Sequence, residues 1–175
     1  VSAGSRLRRL FEKFHGAGAP LPSRSSWGAI LTTSLIAGVI VAGLAYATSH
    51  LSYVLLLGTF AASSLLTFAY PDSPFSQPRN TVLGHLIGTG AGLLCLHGLG
   101  PEWWSAGLAV GLTIAVMKAT RTVHPPASSN PLIVFAFKPT WSFLLFPTLT
   151  GAVLIVIIAL FVHNLRRPTR WPQYW

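Results

Sequence analysis

Hydrophobic residues in this chain come in long blocks separated by short polar, proline-rich or basic segments. Five stretches stand out, near Trp27–Thr48, Leu51–Tyr70, Asn80–Leu99, Trp103–Met117 and Trp141–His163. A helix needs about 20 apolar residues to cross a hydrocarbon core of about 30 Å, so the simplest count is five crossings. A sixth run, Pro131–Phe137, is far too short to cross. Trp27, Trp103, Trp104 and Trp141 each open a stretch, where the interfacial aromatics of a membrane protein belong. Charge respects the same blocks: no Lys, Arg, Asp or Glu falls between Arg24 and Asp72, or from Thr140 to Leu165.

An internal repeat changes that count. Ala62-Ser63-Ser64 leads into Leu65-Leu66-Thr67-Phe68-Ala69-Tyr70; Ala127-Ser128-Ser129 leads, after Asn130-Pro131, into Leu132-Ile133-Val134-Phe135-Ala136-Phe137. Thr89-Gly90-Ala91 and Thr150-Gly151-Ala152 echo each other further on. As a helix, residues 127–137 reach only about half-way through a bilayer at about 1.5 Å per residue. Broken backbone at membrane depth is tolerated inside protein or beside a water-filled cavity. If the two phrases are equivalent, Ala62–Tyr70 is also a half-helix and Leu51–Gly58 its descending arm.

The expected fold is therefore an all-α integral membrane protein. It has four transmembrane helices plus two re-entrant half-helices, arranged as two parallel repeats of about 27–99 and 103–163. The membrane domain spans 25–165. A basic arm, 1–24, precedes it, with Leu7, Leu10, Phe11 and Phe14 at the spacing of a helix lying in the headgroup region, a solvated tail being the equal alternative. A basic and aromatic tail, 166–175, follows. Four crossings put both basic ends on one side, in line with the positive-inside rule.

Composition sharpens this picture. The chain has 175 residues, 51% hydrophobic and only 9% charged, where a soluble domain carries about a quarter charged residues. The net charge of +9 would suggest nucleic acid in a soluble protein, but here the aromatics sit in apolar runs. Contact with anionic lipid and a topology signal fit better. Cys95 is alone, so neither a disulfide framework nor a cysteine metal cluster is expected. The first residue is Val1 rather than Met, as in a trimmed or processed chain.

The candidate chemistry lies at the breaks. Pro125 and Pro126 lack N–H groups and suit the break before a half-helix. Ser128 and Ser129 would occupy its first turn, where free N–H groups and the helix dipole favour an anion. Ser63 and Ser64 would face them from the first repeat. Ala62, Ala127 and Asn130 complete the two segments. His124 and His85 are ionisable groups at membrane depth and functional candidates on that ground, with a neutral, carbonyl-bonded histidine as the plain alternative. His15, His50, His97 and His163 read as interfacial. Arg79, Lys118, Arg121 and Lys138 flank the breaks on the side opposite the termini. Arg79, Lys118 and Arg121 would concentrate small anions there, while Lys138 reads as a snorkelling side chain. Gly84, Gly88 and Gly92, and also Gly107 and Gly111, recur every fourth residue, a pattern for close helix packing or, second, a homo-oligomer contact. No paired carboxylates, metal cluster or phosphate loop appears, so neither an enzyme, a metal nor a cofactor is expected.

The triplet His124-Pro125-Pro126 between an apolar span and a short hydrophobic segment, with Ser73-Pro74-Phe75-Ser76-Gln77-Pro78 ahead of a Gly-rich span, resembles the HPP family of integral membrane proteins. The closing Trp171-Pro172-Gln173-Tyr174-Trp175 is also similar to family tails. The resemblance covers roughly residues 25–165. It implies four transmembrane segments and nitrite transport, in a bacterial or cyanobacterial inner membrane or the chloroplast envelope. Some bacterial members carry a further soluble regulatory domain, which is not expected after Trp175. The functional expectation is a passive or proton-linked conduit for a small monovalent anion, nitrite above others. The alternatives are a non-transporting scaffold or lipid-binding subunit and, further back, a membrane enzyme using His124.

Overall fold

The computed structural model describes residues 20–50 and 58–175, and every regular element among them is helical. The helices are α1 (Trp27–His50), α2 (Gly58–Ala69), α3 (Pro78–Leu99), α4 (Trp103–Ala119), α5 (Asn130–Phe137) and α6 (Thr150–Arg166). Single 3-10 turns at Pro74–Ser76 and Pro125–Ser129 precede α3 and α5. Prolines at their first positions fit because a missing N–H costs nothing there. The run into α6 begins at Trp141 and bends at Phe146, whose backbone is extended (φ −124°, ψ 117°). Three helical stretches, Trp27–His50, Pro78–Leu99 and Trp141–Arg166, are long and apolar enough to cross a membrane, while Gly58–Ala69 and Trp103–Ala119 are apolar but shorter. The interfacial helix expected in the basic arm lies outside the described residues up to 19, as does the descending arm expected at 51–57.

The direction of each element follows from what it touches. The start of α1 and the ends of α2 and α6 line one cleft, through Ala29, Ala69 and Arg166. We call this the tail end of the bundle. Helix α3 starts there, since Gln77 and Asn80 bond to Gln173 and Tyr174 of the tail. Helix α4 returns to it: Ser105 bonds to the Cys95 carbonyl near the far end, and Thr120 accepts from Arg79 near the start of α3.

From Thr122 the chain then runs alongside α3 for its whole length. A Cβ on Gly84 would meet the His124 Cβ, one on Gly88 the Ala127 carbonyl and Asn130, and one on Gly92 Pro131 and Val134. Pro139 finally accepts from His97. Segment 122–139 is therefore not re-entrant: it passes from the tail end to the far end. Before α5 the chain is non-helical from Thr122, extended at His124 and then in a 3-10 turn. Extended and 3-10 backbone rise about 3.3 and 2 Å per residue, so Thr122–Phe137 reaches about 30 Å.

Two expectations are corrected by this path. The short segment does not turn back, and the halves are not parallel. In the first half, α1 runs to the far end, α2 to the tail end and α3 to the far end. In the second, α4 runs to the tail end, 122–137 to the far end and α6 to the tail end. The halves have opposite senses. Arg79, Lys118 and Arg121 also change place: they lie at the same end as the C-terminal tail, not opposite it, and only Lys138 is at the other end.

The packing is inside-out relative to a soluble protein. Large apolar side chains such as Leu35, Val39, Leu94 and Phe161 face outward, while His85, His124, Gln77 and Asn130 are among the most deeply buried side chains. The buried apolar core includes Ile40, Leu44, Phe60, Phe68, Leu93 and Ile155, and Phe60 packs edge-on against His85. Phe60 fits over Gly151, where a Cβ would overlap its ring. Gly84, Gly88 and Gly92 do serve close packing, but Gly107 and Gly111 have nothing within 4 Å and are not packed inside this chain.

Candidate functional site

The site forms where two short helices begin. Helix α2 has 12 residues and α5 has 8, about 18 and 12 Å of rise. Both begin about half-way along α3, opposite His85 and Gly88, and they run to opposite ends. Their first turns touch: the Thr59 hydroxyl donates to Asn130 Oδ1 at 2.9 Å. Asn130 Nδ2 donates in turn toward His85 Nδ1 (3.0 Å), the His85 carbonyl (3.2 Å) and Thr89 Oγ1 (3.0 Å). Thr89 continues to Thr148 Oγ1 at 3.0 Å. Asn130 thus ties α2, α3 and α5 together, and Thr148 joins the run into α6.

Ser63 lies one turn further along α2. Its hydroxyl sits 2.9 Å from His85 Nε2, 2.8 Å from His124 Nε2 and 3.0 Å from the Thr59 carbonyl. His124 Nδ1 donates to the Phe75 carbonyl at 2.8 Å. The proline-rich loop supplies that carbonyl. Pro74 opens its 3-10 turn, the Ser73 hydroxyl accepts from the Phe75 N–H, and Pro78 then starts α3. His124 itself is extended (φ −134°, ψ 97°), held between α4 and the turn opened by Pro125 and Pro126. Ser63, His85 and His124 have no solvent exposure.

The structure brings Ser63, His85, His124 and Asn130 into one cluster and leaves other candidates out of it. Ser128 bonds back to the Pro125 carbonyl, and Ser129 is exposed. They do not occupy the first turn of the α-helix, which begins at Asn130. Ser63 and Ser64 lie in the middle of α2, not at its N-terminus. The opposed N-termini are instead those at Thr59 and Asn130. Ala62 faces outward, Ala127 packs against Gly88, and Ser64 is buried with its hydroxyl unpartnered, as are those of Thr67 and Thr81. Sequence reasoning missed Thr59, Thr89 and Thr148, whose signal was a lone hydroxyl inside an apolar stretch.

The basic residues form a separate feature at the tail end. Arg79, Arg121 and Tyr174 line a cleft of about 340 Å³. Arg121 follows α4 in the left-handed region (φ 56°), and Thr122 N–H closes the helix onto the Met117 carbonyl. Lys118 is exposed on the last turn of α4. The tail straps this end: Tyr174 bonds to the Pro74 carbonyl and Asn80, Trp171 Nε1 to the Pro71 carbonyl, and Arg167 pairs with Asp72 at 2.6 Å. His163, expected at an interface, is buried under this strap beside Trp171 and donates to the Thr67 carbonyl. His97 and His50 are exposed near helix ends, and His15 lies outside the described residues.

The model of the HPP transmembrane region matches residues 22–172. The chain belongs to the HPP transmembrane family. HPP relatives include two Dictyostelium discoideum proteins described only as transmembrane proteins. One is 32% identical over 95% of this chain and 63% of its own length, the other 34% identical over 82% and 49%. The chain thus spans between about half and two-thirds of these HPP relatives. No solved structure matches it. Family membership and the outward apolar surface make this a membrane protein in contact with lipid. Pro125 and Pro126, which open the 3-10 turn, and His124, which binds Ser63, lie within the matched region.

Proposed function

We propose that this chain transports a small monovalent anion, with nitrite as the substrate implied by the HPP resemblance. The observation that carries the reading is the meeting of the α2 and α5 N-termini half-way through the bundle. Two helix dipoles present their positive ends to one place. The Asn130 N–H is bonded to the Ala127 carbonyl and Pro131 has none, so the donors that would serve an anion there are the side chains of Thr59 and Asn130. That is an anion site built from neutral donors, which can bind an ion and release it. The buried, unpartnered hydroxyls of Ser64, Thr67 and Thr81 add donors along the interior. Arg79 and Arg121 at the tail-end cleft would raise the local anion concentration. In this reading the two halves form an inverted repeat, with α1, α2 and α3 set against α4, 122–137 and the Trp141–Arg166 stretch. Inverted repeats with broken helices meeting at mid-depth are a transporter arrangement. The bacterial or chloroplast location rests on the resemblance alone.

A second reading, a non-transporting scaffold, is favoured by one observation: Ser63, His85, Thr89, His124 and Asn130 are packed and bonded to protein. Nitrite uptake by proteoliposomes separates the two. Transport predicts uptake above protein-free liposomes, and a drop of at least ~10-fold for folded Asn130→Ala, from the loss of about 1.4 kcal/mol or more of anion stabilisation. Folded wild-type protein with no uptake of nitrite or any other small anion sinks the transport reading.

A further inference from the structure

The hydrogen-bond arithmetic of the buried cluster has two solutions that differ by one proton. In the neutral solution each bond has one donor. Asn130 Nδ2–H points at His85 Nδ1, so His85 carries its proton on Nε2 and donates to Ser63 Oγ. His124 Nδ1 faces the Phe75 carbonyl, which only accepts, so His124 carries its proton on Nδ1. Its bare Nε2 must then accept from the Ser63 hydroxyl. The result is one directed chain, Asn130 to His85 to Ser63 to His124 to Phe75.

The second solution holds one more proton. With both nitrogens of His124 protonated, Ser63 receives N–H bonds from both rings and turns its own hydrogen to the third atom in reach, the Thr59 carbonyl at 3.0 Å. Nothing else need move. Among the described residues, Ser63 is the group that hydrogen-bonds to both rings, whose centroids lie 5.2 Å apart.

We propose that Ser63 relays a proton between His85 and His124. A proton arriving on His85 Nδ1, as the Asn130 amide yields that position, makes it an imidazolium. The His85 Nε2–H bond breaks as an O–H bond forms on Ser63. The original Ser63 O–H bond breaks as an N–H bond forms on His124 Nε2. One positive charge has moved from His85 to His124. Ser63 keeps one hydrogen, now donated to the bared His85 Nε2, and His85 is left neutral with its proton on Nδ1, so the protonated arrangement above is reached once that proton returns to Nε2. The charged or titratable neighbour acting on His85 is His124. The elements packed against the pair present Thr59, Phe60, Gly84, Gly88 and Met117, none of them titratable. Among the described residues no carboxylate contacts the pair, so the added proton meets no fixed counter-charge there. An anion at the adjacent N-termini would supply the missing counter-charge. In that role the relay rests on the transport reading and makes transport a symport of one proton with one anion.

Histidine ¹⁵N spectra of the purified protein, assigned with His85→Gln and His124→Gln, test the relay without any transport assay. The expected result is opposite tautomers, His85 protonated on Nε2 and His124 on Nδ1, with acidification of the sample changing both signals together. Ser63→Ala should abolish that joint response, and Ser63→Thr, which keeps the hydroxyl, should retain it. Identical tautomers on the two rings, or a joint response that survives in folded Ser63→Ala, would overturn the relay. Proton entry into proteoliposomes accompanying nitrite then tests the coupling. Uptake without proton entry overturns the symport, whereas correct tautomers with no uptake overturn only the transport reading.

Discussion

Replacing Gly88 with alanine sets two effects of opposite sign against each other. Helix propensity favours the change: alanine in a helix interior is worth about 1 kcal/mol over glycine. Packing opposes it, because the new Cβ would overlap the Ala127 carbonyl oxygen and lie 3.2 Å from the Asn130 Cβ. The obstacle is backbone, which cannot swing away as the tip of a flexible side chain can. Overfilling a well-packed interior costs about 1–3 kcal/mol, and a backbone obstacle places this case near the upper value. The net loss is then ~1–2 kcal/mol, or a fall in Tm of about 2–8 °C at this chain length. Gly111→Ala is the control. It carries the same propensity gain with nothing within 4 Å, so its Tm should hold or rise. Cys95, buried on α3 in the same packed layer, supplies the assay: a thiol-reactive dye in detergent reports when α3 separates from its neighbours. A Gly88→Ala melt equal to or above that of Gly111→Ala would refute the close approach of segment 122–134 to α3.

Three further outcomes are expected. In a Cys95→Ser background, a cysteine at Arg121 should be labelled from the same side of a sealed vesicle as the C-terminal tail, and one at Lys138 from the opposite side; labelling of both from one side would restore the four-crossing arrangement. Replacing Arg79 and Arg121 together with Gln should lower nitrite uptake at low salt. The difference should close as ionic strength rises, because attraction at the mouth is screened over about 8 Å at physiological salt. Ser129→Val should leave uptake within about two-fold of wild type, since an exposed side chain contributes little to a buried path, whereas Trp171→Ala should cost about 3–5 kcal/mol in a detergent melt, since the indole is buried and donates to the Pro71 carbonyl.

The membrane-embedded helical character was legible because exclusion of charge is written directly into the chain. The path of residues 122–137 was not. The step that misled was the assumption of a uniform helical rise. Eleven residues of helix reach half-way, but a non-helical lead-in, extended at His124, and a 3-10 turn ahead of α5 make up the remaining distance. The reversed sense of the second half follows from that one difference, and with it the side on which Arg79, Lys118 and Arg121 lie. At the site, His85 and His124 were legible as ionisable groups in apolar surroundings. Ser128 and Ser129 were misplaced because a 3-10 turn advances about 120° per residue, so they point away from the face that Asn130 presents. Thr59, Thr89 and Thr148 were hidden because one threonine in a hydrophobic run is as consistent with a hydroxyl bonded to its own helix as with a bridge between helices.

The strap across the tail end has a consequence for the order of assembly. Gln77 is fully buried, with its amide donating to the Pro71 and Ser73 carbonyls and its oxygen accepting from the Gln173 N–H. The last of these partners stands 96 positions later, as do, within a few positions, those of Pro71, Asp72 and Pro74. Contacts between such distant positions require the largest loops to close and so belong to the late stages of folding. During synthesis the loop that holds His124 in place stays without its cover until Gln173 has left the ribosome. The helices can therefore be inserted and paired while this end is still open, and the chain seals it last.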